Sequence, residues 1–250
     1  MYLNEPNLMD IVKKQFRFKL NANGASFFTF VLLQVGAIVL AVIGNSHNFF
    51  YSSDESVVSI AMLSNDNNMG IATLWAFILG IMLTTRLKQS ESFSFVSSRL
   101  SNHLSNLLFM LFASLFAGIS VALSSSAIKL FGFLVHGEMV VHSPSLIESP
   151  YDFIVRIITA IAYLLLFFII GYSISSLIQA NKLVIVLFVL IWILFTSTTE
   201  FWNGEEYLLA MILFFGSEHS LLLFILKIIG TVLGLFTISA VITNRLEVRN

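Results

Sequence analysis

The sequence predicts an all-α integral membrane protein with six transmembrane helices. Three observations predict it. Mean hydropathy is +0.91, with 57% apolar and only 11% charged residues. Apolar runs of helical length recur from end to end, far more than a soluble core of this size would need. The basic residues are also sorted. Lys13, Lys14, Arg17, Lys19, Arg86, Lys88, Arg99, Lys182, Arg245 and Arg249 fall on one side if six spans leave both ends there. The two longest loops of the other side, 45–67 and 198–218, hold no Lys or Arg. Lys and Arg accumulate in cytoplasmic loops. Both termini are therefore expected in the cytoplasm of a multi-pass plasma-membrane protein, bacterial in character.

The expected spans are 25–43, 69–85, 107–123, 153–178, 183–195 and 220–243. Most are near the length that crosses ~30 Å of hydrocarbon at 1.5 Å per residue, and the fifth is the shortest. Pro6, Pro144 and Pro150 all lie outside them, so no proline kink is expected.

Residues 1–250 form one transmembrane domain, with loops too short for a soluble catalytic domain. The first twenty residues lack the apolar stretch and small-residue cleavage site of a secretory signal. A net charge of −1 offers no basic field for nucleic acid. With no Cys there is no thiolate metal site or cysteine nucleophile. His47, His103, His136, His142 and His219 are scattered, and neither HExxH nor a G-x-S-x-G elbow occurs. No Walker-type glycine loop is present. The chain is thus expected to be no enzyme, with no catalytic residue, metal or cofactor of its own.

Three segments outside the spans carry information. Residues 7–20 read as an amphipathic helix with Asn7 as a plausible N-cap. Asp10, Lys13, Lys14 and Arg17 share one face, largely opposite Leu8, Ile11, Val12, Phe16 and Leu20. Such a basic helix lies in the headgroup region of the bilayer. Residues 91–105 lie in the basic-side loop after the second span. There Phe93, Val96, Leu100 and Leu104 continue to Leu107 as a helical apolar stripe, with Ser94, Ser98, Ser101 and Ser105 on another face. Arg99 and His103, one turn apart, could meet an acidic or phosphate-rich partner. Residues 200–216 contain YLLAMILFF between Asn203-Gly204 and Gly216-Ser217. This run is too short to cross, so it is expected to be interfacial or re-entrant on the outer side. Residues 126–136, after the third span, also fit no simple loop and leave the end of that span open.

Charge within spans is scarce. Arg156 and Lys227 lie near outer span ends. They can snorkel, or pair with Glu200, Glu205, Glu206 or Glu218. In the second reading Glu205, Glu206 and Lys227 form an outer gate. Tyr172, Ser173, Ser175 and Ser176 beside Gly171 suit close helix packing, as do Gly36, Gly80 and Gly118. Gln34 should find an interhelical hydrogen bond. The 25 Phe residues serve equally as apolar filler or as the lining of a lateral route.

The ensemble of an interfacial helix at 7–20, six spans, an inner helix at 91–105 and a re-entrant outer segment at 200–216 resembles the membrane subunit of type-2 (type V fold) ABC exporters. The resemblance covers almost the whole chain in layout and rests on no short motif. It implies a permease working with a separate ABC ATPase, in two copies, that binds ATP and Mg. It implies a second permease copy or a related one, and a coupling helix at 91–105 with Phe93, Val96, Arg99, Leu100 and Leu104 as the docking residues. It also implies a role in peptide export or in immunity to antimicrobial peptides. The greasy, charge-poor spans independently favour a hydrophobic or amphipathic cargo: a peptide, a toxin or a lipid-like molecule. Two other readings stay open from the residues alone. One is a self-sufficient channel or secondary transporter, for which midplane carboxylates or broken helices are not evident. The other is a membrane immunity protein that binds a toxin without transport.

Overall fold

The computed structural model describes residues 8–44, 47–53, 56–62, 65–85, 99–136, 140–141, 149–181, 183–196, 198–199, 202–218 and 220–246. In chain order the elements are α1 (Leu8–Ala22), α2 (Gly24–Gly44), β1 (His47–Ser53), β2 (Ser56–Met62), α3 (Asp66–Thr84), α4 (Arg99–His136), β3 (Val140–Val141), α5 (Pro150–Ala180), α6 (Leu183–Thr196), β4 (Thr198–Thr199), β5 (Trp202–Asn203), α7 (Gly204–Gly216) and α8 (Leu221–Leu246). Among the described residues five helices, α2, α3, α4, α5 and α8, have the length and apolarity to cross a membrane. Backbone polar groups in hydrocarbon must pair within their own segment, which a helix achieves.

Two span expectations change. The fifth, 183–195, is a helix, but α6 has only 14 residues. It extends ~21 Å at 1.5 Å per residue, short of the ~30 Å hydrocarbon core. The third, 107–123, is the middle of α4, whose 38 residues reach ~57 Å. The end of that span is therefore set by no helix boundary: residues 126–136 continue the same helix. Arg99–Ser105 forms its first two turns, and residues 91–98 lie outside the described residues. The segment between α2 and α3 also departs from the all-α expectation. β1 and β2 form an antiparallel hairpin pairing His47 with Met62 through Ser53 with Ser56, and β3 adds in parallel at Ala61 and Met62. The aromatic run Phe49-Phe50-Tyr51 and the β-branched Val57, Val58 and Ile60 suit an extended backbone.

The hub is α5, which packs against α3, α4 and α8. Pro150 begins it at a position where a missing N–H costs nothing. Glycines set its approach to α3. A Cβ at Gly80 would fall inside van der Waals distance of the Phe168 carbonyl and 3.0 Å from Tyr172 N. A Cβ at Gly171 would do the same to the Phe77 carbonyl. Gly118 of α4 sits as tightly on Ile161, 3.1 Å from its backbone N. Gly36 does not share this role, since nothing lies within 4 Å of its Cβ position. Phe30 stacks on Trp75 at 4.3 Å, and Trp75 meets Phe168 edge-on. The Trp75 Nε1–H donates to Ser26 O at 3.0 Å. These contacts join α2, α3 and α5. The outward surfaces of the spans are apolar, with Leu32, Leu40, Leu74, Leu123, Leu222 and Leu226 all exposed, as a lipid solvent requires.

Candidate functional site

A buried polar node lies where α1, α4 and α5 meet, at the end of the bundle that holds the α3 and α5 C-termini. Val12, Gln15 and Lys19 recur at i, i+3 and i+7 on α1, so they share the face turned to α4; all three are buried. Asn102, Ser105 and Asn106 stand at i, i+3 and i+4 on α4 and present three side-chain oxygens to that face. The Lys19 Nζ donates to Asn102 Oδ1 at 2.8 Å, Ser105 Oγ at 2.6 Å, Asn102 O at 3.3 Å and Asn106 Oδ1. Lys19 is 8% exposed. Burial pushes its ammonium down to about 7, because charge is costly to remove from water. No described carboxylate lies within ion-pair distance of it.

The node continues into α5. Asn106 Nδ2 donates to the Tyr172 hydroxyl at 3.4 Å, and that hydroxyl lies 3.0 Å from His103 Nδ1. The hydroxyl accepts from Asn106 and has one proton to give. The arrangement in which it donates to His103 Nδ1 places the imidazole proton on Nε2. Tyr172 is 1% exposed and stacks on Phe236 of α8. One hydrogen-bonded chain thus links α1, the start of α4 and the hub helix.

Serines complete the packing around the hub. Ser239 of α8 donates to Ser173 Oγ at 2.9 Å, and Ser175 donates to Ile81 O at 3.2 Å. Gln179 Nε2 donates to Thr84 O at 2.5 Å. Gln34 accepts from Ser120 across α2 and α4. These are packing contacts, as small polar residues in spans usually make.

The docking residues expected from sequence separate. Phe93 and Val96 lie outside the described residues, as does the Arg99 side chain. Leu100 is 59% exposed, and Leu104 is half-buried. The buried face of this segment is instead Ser101, His103 and Ser105. In lipid the apolar stripe can face outward while polar groups seek partners inside. His103 is turned inward to Tyr172. Lys19 carried no special expectation, since a Lys among Lys13, Lys14 and Arg17 reads as solvated. The available signal was its i+7 spacing from Val12 and i+3 spacing from Phe16.

At the opposite end Lys227 of α8 has a carboxylate partner, and it is Glu218. Its Nζ also donates to Phe214 O at 3.2 Å and sits 4.1 Å from the Phe214 ring centre. Tyr163 of α5 donates to Phe215 O at 3.1 Å. The C-terminus of α7 is thereby pinned to α5 and α8. Glu206 lies eight residues before Phe214, ~12 Å away along α7, so it is not the carboxylate paired with Lys227. The side chain of Glu205 lies outside the described residues. Glu218→Gln is expected to cost roughly 1 kcal/mol or less, a small drop in melting midpoint in detergent. Lys227→Glu, which sets two carboxylates together, should cost more.

No protein-family model, curated protein or solved structure matches the chain.

Proposed function

We propose that this chain is the transmembrane permease subunit of an ATP-driven exporter, whose ATPase is a separate polypeptide. The observation that carries the reading is the continuity of α4 with its lock at the basic end. The described part of segment 91–105 is the start of a single helix of 38 residues. Lys19 ties it to α1, and Tyr172 ties it to α5. A push on that segment from below would therefore pass into three helices at once, as a coupling element requires. The exposed Leu100 supplies an apolar anchor for the ATPase, with Arg99, Phe93 and Val96 as its neighbours in sequence and Leu104 behind.

In this reading ATP and Mg act on the partner. Closure of two ATPase subunits draws the 91–105 segments of two permease copies, or of this chain and a related one, toward each other. The spans then rearrange, with the α7 segment pinned by Lys227 and Glu218 closing the outer end. Both termini lie in the cytoplasm, α6 serves as the short fifth span and α7 is re-entrant. The apolar span surfaces suit a hydrophobic or amphipathic cargo, such as a peptide exported for defence or removed for immunity.

The test is purification of the tagged chain in mild detergent from its native host. A stoichiometric subunit bearing Walker motifs is expected to co-purify. Joint replacement Arg99→Glu and Leu100→Glu should lower its recovery more than tenfold while the permease stays monodisperse. If the intact, folded chain brings down no ATPase, the channel, secondary-transporter or toxin-binding readings take precedence. If association survives the double replacement, the docking role of this segment is wrong.

A further inference from the structure

The proton inventory around Lys19 fits two charge states, and only one of them suits a buried helix contact. Four oxygens surround the amine: Asn102 O, Asn102 Oδ1, Ser105 Oγ and Asn106 Oδ1. An ammonium has three protons for them. A neutral amine has two, which the amide oxygens of Asn102 and Asn106 can take. Its lone pair then meets Ser105 Oγ at 2.6 Å, a hydroxyl that can swing its proton from Asn102 O to the amine. Lys19 therefore still makes three hydrogen bonds when it gives up its charge, and the cage loses only the bond from Ser105 Oγ to Asn102 O, a helix carbonyl. All four oxygens are neutral, so the charged form is compensated by no ion pair among the described residues. A buried cation without a counter-ion is the less favourable of the two.

We propose that α1 is a proton-responsive strap: it seats on α4 by releasing a proton from Lys19, and a fixed cation at this position loosens it.

Among the described residues, the other titratable groups facing the node are His103 from α4 and Tyr172 from α5. On α1 itself Lys13, Lys14 and Arg17 are exposed, and their positive charge opposes a further cation. The direction follows from linkage. Released, Lys19 titrates at its ordinary value of 10.5; seated, burial brings it to about 7. Between these values the released helix holds more protons, so seating strengthens as pH rises through the window. Below about 7 both states are charged and this contribution is flat; above 10.5 both are neutral and it is flat again.

The chain has no Cys, so one nitroxide label at Lys13→Cys, on the exposed face of α1, reports seating through its spectral mobility. The full chain is reconstituted in lipid vesicles and titrated from pH 6 to pH 10. The expected result is an immobilised component that grows above pH 7, with the seated-to-released ratio rising by up to about tenfold per pH unit. Lys19→Met should abolish that dependence. Lys19→Arg, cationic throughout this range, should give a flat, more mobile spectrum. A spectrum of the native chain that does not change between pH 7 and pH 10 overturns the proposal. So does the same pH dependence in either variant; if Lys19→Met fails to fold, Lys19→Arg decides alone.

Discussion

Gly80→Ala is expected to destabilise the bundle by about 1–3 kcal/mol or more, and Gly171→Ala by a similar amount. The added methyl at either position meets backbone, the Phe168 carbonyl in one case and the Phe77 carbonyl in the other. A side chain could rotate aside; a helix backbone cannot. Relief requires α3 and α5 to separate along their whole contact, and close-packed interiors lose dispersion steeply with small gaps. The same substitution serves as its own control elsewhere. At Gly36 and Gly230 nothing lies within 4 Å of a Cβ, so Gly36→Ala and Gly230→Ala should be neutral, or slightly stabilising through helix propensity. The measurement is the melting midpoint of all four variants in one detergent. Equal midpoints for Gly80→Ala and Gly36→Ala would mean that α3 and α5 do not meet backbone to backbone. The double variant Gly80→Ala with Gly171→Ala should cost less than the sum, because one separation of the helices relieves both clashes.

Tyr172→Ala should cost about 3–5 kcal/mol, the range for removing a large buried aromatic. Tyr172→Phe divides that figure into two parts. It keeps the stacking on Phe236 and removes only the hydroxyl. His103 Nδ1 and Asn106 Nδ2 then lose the partner they share. Buried groups stranded in this way cost about 1–3 kcal/mol. Adding His103→Phe should recover part of the loss, since it removes one of the two stranded groups. A cycle of Tyr172→Phe and His103→Phe measures this, with a coupling above about 0.5 kcal/mol expected for residues in contact. Strict additivity would remove the chain of bonds from α1 through α4 to α5, and with it the route by which movement at residues 99–105 is proposed to reach the hub helix.

Much of the bundle was legible from residue order because hydrocarbon imposes a length. The expected spans 25–43, 69–85, 153–178 and 220–243 each lie within about three residues of helices α2, α3, α5 and α8. Those boundaries follow from where apolar runs stop. Turn chemistry marked the ends of the short helix too: Gly204 and Gly216 bound α7. The third span was less legible because Ser124, Ser125 and Ser126 interrupt an apolar run that resumes at residues 127–135, and Gly132 does not stop the helix. Nothing local ends the helix, and it continues. The candidate site was the least legible part. Lys19 stands in a run of cations that solvates as a group when α1 is considered alone, and Asn102 and Asn106 meet their cross-helix partner Lys19 only once α1 packs on α4.

By itself the sequence determined that the chain is apolar enough for a membrane, where four of its crossing helices run and which positions are small enough for helices to touch. Those properties depend on composition and period, and each residue carries them independently of its distant neighbours. Tertiary structure alone decided that Gly80 and Gly171 serve one contact while Gly36 serves none. It also decided that Lys227 takes Glu218, and that Lys19 turns inward to three side chains more than eighty residues away. The physical reason is that glycine tolerance and hydrogen-bonding capacity are only potentials. Their partners depend on how α1, α3, α4 and α5 cross, and the crossings are set by the sum of many packing contacts that no single segment encodes.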